Sequence, residues 1–155
     1  FDTLLEKNSD DEILAILAHE AGHWKKKHIL KRLVMMECFS FIGIYIAWAL
    51  VQKDWLVDIF GVAEPTLYVK LVLVGFLSML VLFPLKPVMT WLSRKDEWEA
   101  DQYAVNLTGT PHALARALIK LGRDNLSNLH PHPWNIAFYY SHPPLAQRVA
   151  RLLRR

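Results

Sequence analysis

From Ser9 onward, Ile13, Ile16, Leu17 and Ala21 recur at the spacing of one helix face. Ser9 or Asp10 stands where an N-cap belongs, and Asp11 and Glu12 put negative charge in the first turn, where the helix dipole favours it. This pattern predicts a helix over about residues 10–28, with a break or bend near Lys25, Lys26 and Lys27. Then the polar face disappears. The run LVMMECFSFIGIYIAWALV, Leu33 to Val51, carries a single charge, Glu37, near its start. As a helix it would span about 28 Å, enough to cross a hydrocarbon core. A second such run covers Leu67 to Trp91. Its middle, Leu71 to Leu85, is uncharged, and Lys70 and Lys86 lie near the ends, where long side chains can snorkel. Pro84 and Pro87 predict a kink or an early stop. The expected spans are thus about 33–51 and 67–91. Two long buried core helices are the soluble alternative, but both runs are longer than a small core needs. Mixed periodicity returns afterwards. It predicts a helix over about 95–107, a break at Gly109-Thr110-Pro111, an amphipathic helix over about 112–121 and a loop-rich stretch at 122–143. Leu145, Val149, Leu152 and Leu153 share one face of a last helix. The fold class this implies is all-α, a multi-helix protein with two membrane spans.

Charge placement adds a direction. The net charge of the 155-residue chain is only +3, but its basic residues gather at the outer flanks of the apolar runs. Lys25 to Arg32 precede the first, and Arg94 and Lys95 follow the second, while residues 52–66 carry Asp54, Asp58 and Glu64 against one lysine. That is the positive-inside pattern of a helical hairpin. It places residues 52–66 across the membrane, with the first helix and everything after residue 93 on the cytoplasmic side. Trp48, Trp55, Tyr68 and Trp91 fall at interface depths. A composition 53% hydrophobic is apolar for a soluble domain, and 21% charged residues are too many for spans alone. The chain opens on Phe1 without an initiator methionine or a signal-like segment, so it reads as part of a longer protein. The lone Cys38 can form neither an internal disulfide nor a thiolate metal site, and is expected as a buried small hydrophobe. The terminal arginines read as a solvated or lipid-headgroup face, and no motif supports nucleic-acid binding.

The candidate chemistry lies in LAHEAGHW. His19 and His23 are four residues apart and share a helix face, so both imidazoles can meet one metal ion. Glu20 is rotated off that line, which suits a base that reaches a water on the metal without occupying the metal. The third ligand is the open question. An extended pattern would need a glycine at 26 and a histidine at 29, but the chain has Lys26 and Ile29. His28 is one position off and is expected to be solvated or interfacial. A later carboxylate is the alternative. In RKDEWEADQYAV, Glu97 and Asp101 are four apart and face one way, which makes Glu97 a candidate ligand. Asp101 would then accept a hydrogen bond from a ligand histidine. Glu99 competes but points to another face. Three protein ligands and an open position are what a catalytic zinc needs. His130 and His132, in HPHPW, read as a structural turn before a second metal site.

Together LAHEAGHW, DEWEAD, ALIKLGRDNL and YYSHPPLAQR resemble the C-terminal catalytic part of the Ste24-type CAAX prenyl proteases, membrane zinc peptidases of family M48. The resemblance extends over residues 1–155 as the C-terminal part of that peptidase domain. It implies an integral, multi-pass membrane protein with a gluzincin-type HExxH helix and an active site facing a chamber. It implies one Zn2+ per chain, held by His19, His23 and Glu97, with Glu20 as catalytic glutamate and Asp101 as the second acidic residue. His142 and Arg148 match a motif that lies beside the zinc and binds the peptide or its transition state. The implied location is a bacterial inner membrane or the endoplasmic reticulum membrane. The implied partners are a peptide or protein substrate, prenylated at its C-terminus in the eukaryotic members, membrane lipid and the N-terminal spans of the full-length chain. Two other readings stay open. One is an HtpX-like protease acting on misfolded membrane proteins, and the other is a non-catalytic zinc-binding membrane protein. Glu20 speaks against the second, since a structural site needs no base.

Overall fold

A computed structural model describes residues 6–154; residues 1–5 and 155, and with them the two ends of the expected 1–155 unit and the last terminal arginine, lie outside the described residues. Every regular element among the described residues is helical. In chain order they are α1 (Asp10–Lys25), α2 (His28–Val51), α3 (Trp55–Ile59), α4 (Leu67–Leu82), a 3-10 turn (Phe83–Leu85), α5 (Lys86–Thr108), α6 (Pro111–Asp124), α7 (Pro133–Tyr139) and α8 (Leu145–Leu153). They group into two compact units, Phe1–Ile29 with Lys86–Arg155, and Leu30–Leu85.

The first unit has a core of small side chains. Ala15, Ala18, Ala104, Ala113, Leu114, Ala115, Leu118 and Leu152 are buried together, with Val105, Leu145 and Val149 packed against them. Alanine on facing helices lets the helix axes approach closely. The closest approach is at Gly22. A Cβ built there would lie 3.1 Å from Ala100 Cα and 3.2 Å from Tyr103 Cβ. Glycine thus lets α1 lie against α5 one turn from Glu97. At its start, α1 is closed by Glu12, whose carboxylate accepts from the Ser9 backbone N–H at 3.0 Å. Glu12 is 2% exposed and also receives Lys120 and the Arg116 Nε (3.2 Å) from α6. These two cations tie the start of α1 to α6.

Differences from the predicted boundaries have local causes. The bend near the lysines is a two-residue break in which Lys27 adopts a left-handed φ of 56°, so α2 begins at His28 and includes the basic flank. The expected stop at the prolines is only a single 3-10 turn, and the helix predicted from Lys95 already starts at Lys86. Pro84 sits in that turn and Pro87 in the first turn of α5, where a missing N–H costs nothing. The loop-rich stretch contains α7, because His132 caps it by accepting from the Trp134 N–H at 3.3 Å and Pro133 supplies its first residue.

The second unit has almost no buried core of its own. Leu56, Val57 and Val74 are buried, whereas Phe41, Ile44 and Met79 are 65%, 66% and 74% exposed. None of the most apolar window of α2, and only 6% of that in Leu67–Thr108, is buried. Both helices are long and apolar enough to cross a membrane. A helix that is apolar all round and exposed does not fit the soluble reading of core helices. Cys38 is exposed as well, contrary to the expectation of burial, because α2 turns its apolar side chains outward on every face. Lys70 is held by Asp54 at the start of α4, where Thr66 caps the helix through the Val69 N–H.

Candidate metal centre

One turn of α1 brings His19 and His23 side by side, with their Nε2 atoms 3.2 Å apart. Across the Gly22 contact, α5 supplies Glu97. Its Oε1 lies 3.3 Å from His23 Nε2 and its Oε2 3.6 Å from His19 Nε2. Donors bound tetrahedrally at about 2.0–2.1 Å from a metal are separated by about 3.3 Å. These separations, which involve both Glu97 oxygens, are close to that value, and with one ligand atom from each residue all three lie within 4.8 Å of one another. Glu97 Oε2 is buried and makes no hydrogen bond, although the Arg148 guanidinium lies beside it. Two imidazoles and a carboxylate converging on one point are a donor set that a divalent metal such as zinc takes. The residues therefore fit a divalent metal.

The surrounding groups complete the electrostatics. Asp101, 4% exposed, places Oδ1 3.0 Å from His19 Nδ1, although the pair is not aligned as a hydrogen bond. Burial alone would raise the Asp101 carboxyl, but His19 and Arg148 outweigh it and hold it below the usual carboxylate range. The Arg148 guanidinium donates from Nε and Nη2 to the two Asp101 oxygens at 2.9 and 2.6 Å, a bidentate pair. Its Nη1 lies 3.3 Å from Glu97 Oε2. Burial, opposed by the Glu97 charge and aided by His19 and His28, holds His23 below the usual histidine value. That favours the neutral imidazole, the form that binds metal.

Glu20 is exposed and lines a cavity of about 490 Å³ together with His19, His23, Glu97, His142 and Arg148. His142 reaches Glu97 Oε1 with Nε2 at 3.3 Å and contacts Ser141 Oγ with Nδ1 at 2.9 Å. Its loop is held by Arg94 on α5, whose Nη1 donates to the Ile136 and Tyr140 carbonyls at 2.8 and 2.9 Å. Thr90 adds a hydrogen bond to the Ala137 carbonyl. Sequence reading took Arg94 only as a basic flank; its partners are backbone carbonyls that no residue type announces. His28 is the larger correction. It is 3% exposed, not solvated or interfacial, and its Nδ1 lies 3.1 Å from His23 Nδ1. The left-handed Lys27 ends α1 abruptly and brings the first residue of α2 against His23. Glu99, off the metal face, approaches His28 instead, at 3.5 Å. His130 and His132 lie outside the cluster.

Fold and site together define an all-helical protein with membrane-length helices and a His–His–Glu metal-binding group. The profile of Peptidase family M48 matches residues 1–155, and the chain belongs to that family. It is 36% identical to the CAAX prenyl protease 1 homolog of Oryza sativa over 98% of this chain and 36% of that protein. CAAX prenyl protease 1 of Saccharomyces cerevisiae is 35% identical over 98% of this chain and 37% of its own length. The crystal structure of S. mikatae Ste24p superposes with a TM-score of 0.84 and 32% identity, over 98% of this chain and 38% of that one. The chain thus spans somewhat more than a third of the length of these relatives.

Proposed function

We propose that this chain is the C-terminal, metal-bearing part of a multi-pass membrane zinc endopeptidase of the CAAX prenyl protease type. The observation that carries the reading is the His19–His23–Glu97 triangle with Glu20 on the same cavity wall. A zinc ion held by these three residues would supply Lewis acidity toward the scissile carbonyl and the attacking water. Glu20 is free of the ligand set. It takes the proton of the attacking water and returns it to the leaving amine. His142 aims Nε2 at the same point. With the Ser141 hydroxyl donating to Nδ1, Nε2 carries the proton and can donate to the developing oxyanion. Arg148 borders the same cavity, but its Nε and Nη2 hold Asp101, which in turn faces His19. Apolar Ile16, Leu114 and Leu118 line the cavity and give a peptide's side chains a dry wall. The substrate is a protein or peptide, with a prenylated C-terminus the class that the relatives' names suggest. Residues 30–85 cross the bilayer twice, with the metal centre on the cytoplasmic face and the remaining spans supplied by the rest of the full-length chain.

The test uses purified full-length protein. We expect about one zinc per chain, as for a single catalytic site. Glu20→Gln should keep the zinc and lose about 10²–10⁴-fold in turnover of a prenylated peptide. Near wild-type activity in that variant would remove Glu20 as the base. A Glu97→Ala protein with unchanged zinc affinity would remove the third ligand.

A further inference from the structure

The two candidate ligand histidines are supported differently. His19 turns its Nδ1 directly to a carboxylate, Asp101. His23 turns its Nδ1 to another imidazole, that of His28, at 3.1 Å. Two ring nitrogens at that distance must share one proton, so one donates and the other accepts. The far side of His28 decides which. Its Nε2 faces Glu99 Oε2 at 3.5 Å and Asp96 Oδ1 at 3.8 Å. Ionised carboxylates only accept, so they draw the His28 proton to Nε2 and leave Nδ1 as a lone pair. That lone pair accepts from His23 Nδ1–H, and the His23 lone pair is then on Nε2, the atom that faces His19 and Glu97. The rings meet edge to face, with centroids 5.1 Å apart and planes at 79°. At 3% exposure His28 has little water to exchange this bond for.

We infer that His28 is a positioning residue for the metal centre: relayed from Glu99 and Asp96, it fixes the tautomer and ring angle of His23 so that Nε2 faces the cavity. The metal reading above is needed only for the affinity arm of the test; the tautomer arm stands without it. In the metal-free wild type, Glu97 Oε1 competes for the His23 proton at Nε2, 3.3 Å away, so the tautomer is read in the full-length Glu97→Ala protein. With ring-15N-labelled histidine, NMR of that metal-free variant at mildly alkaline pH should show His23 as the Nδ1–H tautomer. The Nε2–H tautomer there would overturn the inference, whether or not the wild type binds zinc. In chelator competition, His28→Ala should bind zinc about 10–100-fold more weakly, the usual effect of losing a partner to a ligand histidine. His28→Asn, whose amide oxygen can stand where Nδ1 accepts, should recover most of that loss. An alanine variant that binds as tightly as wild type would overturn the inference, as would an asparagine variant as weak as alanine. If His28→Ala does not fold, the tautomer measurement on the Glu97→Ala protein decides.

Discussion

The side chain of His142 is 63% exposed, that of Arg148 only 9%, yet both touch Glu97. Exposure separates their tasks. His142 can meet a substrate, whereas Arg148 commits Nε and Nη2 to Asp101. His142→Ala should therefore lower kcat with zinc content unchanged, by about 2–4 kcal/mol if it is an oxyanion donor. Arg148→Ala leaves Asp101 and Glu97 without their buried cation, and should cost about 3–5 kcal/mol of stability. Kinetics, zinc content and thermal unfolding on both variants check the split; a His142→Ala enzyme with normal kinetics, or one that loses its zinc, would take His142 out of this role. Several of these residues were legible in the sequence through one rule, the i, i+4 face. It pairs His19 with His23 and Glu97 with Asp101, and the structure brings both pairs together. His28 was not legible. The spacing rule holds only within one helix, and His28 reaches His23 across a left-handed lysine, a conformation that lysine does not advertise.

Helix α1 depends on Glu12 at its start as much as on its apolar face. Burial alone would raise the Glu12 carboxyl, but the Lys120 ammonium, the Ser9 N–H and Arg116 outweigh it and bring it from the usual 4.5 down to about 2. A carboxyl held lower in the folded protein than in the unfolded chain stabilises fully above the unfolded value. This contribution is therefore complete above pH 4.5 and fades as pH falls toward about 2. Thermal unfolding from pH 6 to pH 2.5 should show a loss that is smaller in Glu12→Gln. That variant should also be less stable at pH 7 by about 1–3 kcal/mol, the cost of disturbing a buried hydrogen-bonded charge. An identical acid profile in both proteins would remove Glu12 from this role. Element types were readable from periodicity and caps. Boundaries were not, wherever proline had two possible meanings. Pro84 and Pro87 read as breakers, and α4 does end at Leu82; Pro87, however, lies in the first turn of α5, where a helix needs no N–H.

Across the whole chain, the apolar runs and their basic flanks gave the membrane-length helices, and exposure of α2 and α4 agrees with a lipid-facing role. Orientation remains a charge argument, and labelling tests it. With Cys38 replaced, single cysteines at Asp58 and Gln147 should react from opposite sides of sealed vesicles. Labelling of both from one side would refute the hairpin. Legibility stopped at long range: partners such as Arg94 with the Ile136 carbonyl are 42 residues apart, and only the packed chain reveals them. The contact at Gly22 shows the same limit from the other side, since what matters there is a missing methyl group. Because Ala100 lies where a Cβ would press, the absent atom acts as a spacer gauge for the ligand triangle. The gap between the HExxH helix and its carboxylate could then be opened in steps by side-chain size, without altering any ligand. Position 22 thus sets the spacing of the ligand triangle through an atom that is not there.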